Sequence, residues 1–162
     1  MKRRHALAVA ALGPAAWGAA VAAPAQPGEV VRWPDVSLLD GQRWTAAQVE
    51  GRAVVVVFWS TTCPFCRRHN QHVEKLQRAA AGKKLSVLTV ARDRDAAEVR
   101  RYIASQGYSF PVTLEHAPMA AALSRRNMIP LTVTVDRQGR LKQVIPGEMF
   151  EEDLLDLLQL AG

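Results

Sequence analysis

The chain has 162 residues, 49% hydrophobic and 22% charged, with a formal net charge of +6. That is ordinary globular usage and leaves room for one domain plus a short appendage, not for several domains. Lys2, Arg3 and Arg4 supply three of the positive charges; without them eighteen basic residues face fifteen acidic ones, so the charge argues for solvated helix faces and against nucleic-acid binding.

The N-terminus has the form of an export signal. Lys2-Arg3-Arg4-His5 is a positive start, Ala6 to Ala23 is alanine-rich and apolar, and Ala20-Val21-Ala22 offers a small-x-small cleavage site. The adjacent arginines also permit the twin-arginine route, with Sec favoured over Tat. Gly13 and Pro14 argue against a spanning helix, which needs about 20 apolar residues. Residues 1–25 are expected to be a signal peptide or an N-terminal anchor, 26–32 a linker and 33–162 the folded domain. The expected location is periplasmic, with membrane contact only through an uncleaved N-terminus.

Val36 to Leu39 and Gln42 to Trp44, around Asp40-Gly41, predict a small hairpin. Thr45 to Gln48 predicts a short helical turn. Residues 53–59 are a continuous apolar run rich in β-branched residues, which suits a strand buried on both faces. Residues 63–80 predict a helix with Phe65, Val73, Leu76 and Ala80 inward. Leu85 to Ala91 predicts a second buried strand, and Asp95 to Gln106 a helix stopped by Gly107. Phe110-Pro111-Val112 is a short extended piece, and Ala117 to Arg126 a short helix. Ile129 to Val135 predicts a strand opening on Pro130, turning at Asp136 to Gly139 into a return strand, Arg140 to Val144. Phe150 to Leu160 predicts a terminal helix with acidic residues in its first turn. Strands alternating with helices in this order imply a mixed α/β sheet with helices on both faces.

The only two cysteines form Cys63-Pro64-Phe65-Cys66, directly after the buried strand and at the start of a helix. A helix N-terminus presents unpaired N–H groups and a partial positive charge, and both favour thiolate over thiol. Pro64 suits the first helical position, where its missing N–H is no loss. In an oxidising compartment the pair should form a disulfide. So small a loop stabilises a fold little through chain entropy, so the pair is better suited to cycling than to stapling.

Phe58-Trp59 before Cys63-Pro64-Phe65-Cys66, and a distant Ile129-Pro130 before a hairpin, give the chain a close resemblance to thioredoxin-fold proteins. It is most similar to the exported TlpA/ResA-like disulfide reductases, which add the N-terminal β-hairpin and the segment between residues 94 and 126. The resemblance spans about residues 33–160. It implies that Cys63 is the exposed nucleophile and Cys66 the resolving thiol. It also implies that the Ile129–Pro130 bond is cis and that Trp59, Pro64, Phe65, Ile129 and Pro130 shape the substrate site. No cofactor beyond the disulfide itself is implied. The implied partners are exported thiol or disulfide proteins, as in cytochrome c maturation, and a membrane thiol-electron transporter.

Two positions depart from the pattern. Thioredoxin carries a buried aspartate six residues before its first cysteine, and Val57 stands there. ResA-like proteins often carry a glutamate three residues after the second cysteine, and His69 stands there. His69 is therefore either the proton acceptor for Cys66 or a solvated helix residue. Two other functions stay open: a periplasmic disulfide-forming oxidant, and a copper-binding protein using both cysteines and His116. A four-ligand site of Cys63, Cys66, His69 and His72 is excluded, because one helix spreads them over about 13 Å.

Overall fold

A computed structural model describes residues 23–162, so most of the expected signal segment lies outside the described residues. The elements in chain order are β1 (Val36–Ser37), β2 (Arg43–Trp44), α1 (Ala46–Val49), β3 (Ala53–Trp59), α2 (Pro64–Ala79), β4 (Leu85–Ala91) and α3 (Ala96–Gln106). They continue with β5 (Val112–Thr113), α4 (His116–Leu123), β6 (Leu131–Val135), β7 (Leu141–Pro146) and α5 (Glu151–Asp156), and end in a 3-10 turn, Leu157–Ala161.

Five strands form one sheet in the order β5-β4-β3-β6-β7. β3 runs parallel to β4 and antiparallel to β6. All seven residues of β3 are buried, because each face of the sheet is covered. Ala53, Val55, Val57 and Trp59 pack with Cys66, Val73 and Leu76 of α2, Val99 of α3 and Leu154 of α5. Val54, Val56 and Phe58 pack on the other face with Met119 and Leu123 of α4 and Trp44 of β2. Burying one such side chain contributes roughly 1.5–3 kcal/mol, whereas an exposed ion pair contributes at most about 1 kcal/mol. The Arg68–Glu148 and Lys75–Glu151 pairs between α2 and the α5 region therefore orient elements that the core already holds together.

The outer strands are covered. The β1–β2 hairpin docks on β5 through Leu39 N–H to Val112 O (2.8 Å) and the Thr113 hydroxyl to Ser37 O (2.8 Å). The residues expected as a linker are instead bound to the fold. Gly28 N–H donates to Leu141 O, Leu141 N–H to Glu29 O and Val31 N–H to Gly139 O, and Val31 is buried. An edge strand leaves main-chain groups unpaired, and a Pro/Gly-rich segment can pair with them without any side-chain signature.

Two helices differ from expectation at their ends. α4 stops at Leu123 because Ser124 is extended (φ −169°), and the terminal helix changes to 3-10 geometry at Leu157. Phe65 does not face inward; it is 56% exposed. The buried stripe of α2 is Cys66, His69, Asn70, Val73, Glu74 and Leu76, the spacing of one helical face. Phe65 lies outside that stripe.

Candidate active site

Cys63 is the N-cap of α2, with extended backbone (φ −89°, ψ 112°), and Pro64 follows at the first helical position. The Cys63 sulfur accepts the Cys66 N–H at 3.2 Å, which gives one otherwise unpaired helix donor an acceptor. Cys63 and Cys66 are disulfide-bonded, with Cα atoms 5.2 Å apart. The two sulfurs differ in access: Cys63 is half-buried, and Cys66 is fully buried.

The Ile129–Pro130 peptide bond is cis. It brings the Ile129 carbonyl oxygen to 4.0 Å from the Cys63 sulfur, across 66 residues of sequence. Pro130 O accepts Gly147 N–H at 2.9 Å, anchoring the turn behind it. Arg92, just past β4, fixes the approach to this turn by donating to Asn127 O (3.2 Å) and to the Asn127 side chain. Phe65 and Met128 are both exposed beside these two segments, and the Arg68 guanidinium lies 5.2 Å from the centre of the Phe65 ring.

Over residues 26–158 the chain matches the Redoxin family. The chain belongs to that family. It is 25% identical over 122 residues to the thiol-disulfide oxidoreductase ResA of Halalkalibacterium halodurans, covering 75% of this chain and 69% of that protein. It is 27% identical over 132 residues to the thioredoxin-like protein YneN of Bacillus subtilis, covering 78% and 76%. Among solved structures it resembles a thiol:disulfide interchange protein of Chlorobium tepidum, with a TM-score of 0.74 and 24% identity over 86% of this chain and 99% of that one. This redoxin is a TlpA/ResA-like thiol-disulfide oxidoreductase of thioredoxin fold.

The surroundings of the redoxin's dithiol differ from expectation at two residues. Trp59 is fully buried behind the disulfide, against Tyr102 (5.6 Å between ring centres) and Phe110 (6.3 Å), and so does not line the outer surface. His69 is also fully buried, which excludes the solvated reading. Its Nδ1 accepts Met149 N–H at 3.0 Å, and its Nε2 lies 3.2 Å from the Thr132 hydroxyl. The first contact fixes the tautomer: Nδ1 carries the lone pair, so Nε2 carries the proton and donates to Thr132. The ring's one accepting position is thus already occupied. Burial first, and the neighbouring His72 second, hold the His69 pKa at about 4 against the opposing pull of Glu148. His72 Nδ1 lies 3.2 Å from Met149 O. His116 packs edge-on against Phe58, and burial and Arg92 lower its pKa. Among the described residues no three His, Cys, Asp or Glu side chains are grouped to hold a metal.

Asp93 was not singled out from the sequence. It follows β4 and accepts from Thr61 N–H (3.1 Å), the Thr61 hydroxyl and, at 3.4 Å, the Ser60 hydroxyl. These residues lead from β3 into Cys63. The signal was topological: in parallel sheets, groups just past the carboxyl ends of adjacent strands share one crevice. Asp93→Ala should cost roughly 1–3 kcal/mol by leaving these donors unpaired and slow disulfide exchange severalfold. Asp93→Asn, which keeps one acceptor oxygen, should recover most of both. Thermal denaturation and a stopped-flow exchange assay read the two effects; an unchanged exchange rate in Asp93→Ala would show that the loop holds its place without this carboxylate.

Proposed function

We propose that this protein is an exported reductase of protein disulfides, with Cys63 as the attacking sulfur and Cys66 as the resolving one. One observation carries the reading: a half-exposed sulfur at the N-terminus of α2 stands beside the Ile129 carbonyl, with its disulfide partner buried behind it. A partner sulfur can approach Cys63 and is shielded from Cys66. An extended partner segment can lie along the Ile129 main chain, with Phe65 and Met128 as apolar contacts.

In this reading the Cys63 thiolate attacks a partner disulfide, forming a mixed disulfide and releasing one partner thiolate. The Cys66 thiolate then attacks the Cys63 sulfur, closing the Cys63–Cys66 bond and releasing the second partner thiol. The partner gains two electrons and two protons, which this dithiol loses. The disulfide is the only redox group the cycle needs. A membrane thiol-electron transporter would return the electrons.

Export is supported by the signal-like residues 1–25, and the direction of electron flow by the resemblance to the exported ResA-like reductases. The experiment that tests the direction is a redox titration against glutathione or dithiothreitol buffers. The expected reduction potential lies near that of thioredoxin, about −270 mV, and a value near −120 mV would make the protein an oxidant.

A further inference from the structure

Asn70 lies one turn after Cys66 on α2 and is fully buried. Neither its amide nitrogen nor its amide oxygen has a hydrogen-bond partner among the described residues. A helix side chain leans toward the N-terminus, and residues four apart lie one above the other. The Asn70 amide therefore leans over the turn that holds Cys66. Trp59 Nε1 and the Tyr102 hydroxyl are also buried without partners, and their rings pack in the same core cluster as Cys66. The core behind the resolving cysteine thus holds a set of unused polar groups. An apolar side chain at position 70 would fill the space without that desolvation penalty, so the cost calls for a use.

The reaction supplies one. Cys66 is buried, and burial disfavours the thiolate it must become before it attacks Cys63. Val57, in the same core cluster, offers no carboxylate, and the accepting nitrogen of His69 is already bound to Met149. We propose that Asn70 is the hydrogen-bond donor that stabilises the Cys66 thiolate while the mixed disulfide is resolved. The inference rests on the roles proposed above for the two cysteines. The Cys66 proton passes to water, the Cys66 sulfur bonds to the Cys63 sulfur, and the partner sulfur leaves with its electron pair and is protonated by solvent. Asn70 forms and breaks no covalent bond.

The elements around this region carry several titratable or charged groups, among them His69, His72, Glu74 and Arg67 on α2, Tyr102 on α3, Tyr108 before β5 and Glu148 before α5. His69 is held at about 4, and Tyr108 is pushed up to about 12 by burial first and by Tyr102 and Glu74 next. Burial pushes Glu74 up, but hydrogen bonds from Ser109 and Arg78 outweigh it and hold the carboxyl below its usual range. A hydrogen bond from Arg68 holds Glu148 low as well. These four stay in one state near neutral pH.

The test uses Asn70→Leu, similar in size and without polar atoms, and Asn70→Ala. In a Cys63→Ala background the only thiol is Cys66, and its ionisation is read from thiolate absorbance. Both variants should raise the Cys66 pKa by about one unit, a tenfold loss of thiolate at neutral pH. With both cysteines present, reduced protein mixed with excess 2-hydroxyethyl disulfide should show an unchanged formation phase. The resolution phase should slow about threefold at pH 7, because the greater nucleophilicity of the more basic sulfur offsets part of the tenfold loss of thiolate, and the gap should disappear as the pH rises to ionise Cys66 in both proteins. A merely packed Asn70 would leave the pKa and the resolution phase unmoved, and that result overturns the proposal. A wild-type protein lacking the formation phase would instead overturn the assignment of the dithiol itself.

Discussion

Cys63→Ser should reduce disulfide exchange to the rate seen without protein, whereas Cys66→Ser should keep the first encounter and accumulate a covalent adduct with the partner. The asymmetry follows from access. The chain has two cysteines and no third to substitute. Cys63 is half-buried at the helix end, and Cys66 is fully buried one turn inside. A serine hydroxyl forms no disulfide, so Cys63→Ser removes the only sulfur a partner can reach. The Cys66 thiol left behind lacks both the exposure and the helix-end position that favour a thiolate. In Cys66→Ser, Cys63 keeps its place beside Pro64 and Ile129. It can enter the mixed disulfide, but no second sulfur can release it. Turnover of a disulfide-bonded peptide measures the first effect, and mass spectrometry of non-reduced samples measures the second. Equal trapping by the two variants would show that both sulfurs are reachable and would remove the distinction between attacking and resolving thiols.

What could be read in the chain depended on whether its cause was local. The strands at 53–59 and 85–91 have the expected bounds, because an unbroken run of buried β-branched residues has few other places to go. The N-cap, the proline after it and the two-residue cysteine spacing are likewise local, so the dithiol is legible in the sequence. The surroundings of the dithiol could not. His69 is fixed by Met149, 80 residues away, and by Thr132, 63 residues away. No helical spacing reports such partners, and both readings of His69 from spacing missed its burial. Residues 26–32 read as a linker from Pro27 and Gly28, but main-chain pairing with β7 and the turn before it decides their place. Phe65 was assigned to the core by its apolarity, although it lies outside the buried stripe of its own helix. Asn70 carries no signal in the sequence, and only its burial one turn after Cys66 makes it notable.

His69→Ala should produce the largest loss of stability, and that loss should shrink as the pH falls. At neutral pH the imidazole joins three elements: α2, the segment before α5 through Met149, and β6 through Thr132. Its removal leaves a buried N–H and a buried hydroxyl unpaired and opens a cavity, together roughly 3–5 kcal/mol. For a domain of this size that lowers the melting temperature by about 10 °C. The pH dependence follows from the depressed pKa. In the folded protein His69 takes up its proton only near pH 4, whereas in the unfolded chain it does so near 6.5. Above pH 6.5 both states are neutral, and the stabilisation is fully present. Between 6.5 and 4 the unfolded chain binds a proton that the folded one refuses, so stability falls with pH, by about 2 kcal/mol at pH 5 and about 3 kcal/mol below pH 4. The alanine variant lacks this titration, while Glu148, Glu151 and the other carboxylates titrate in both proteins. The difference between wild type and His69→Ala in urea unfolding should therefore narrow by about 2 kcal/mol from pH 7.5 to pH 5. A constant difference across that range would mean that the folded protein protonates His69 as easily as the unfolded chain does. The tie between α2 and β6, which holds the Ile129–Pro130 turn against the dithiol, would then not depend on the neutral imidazole.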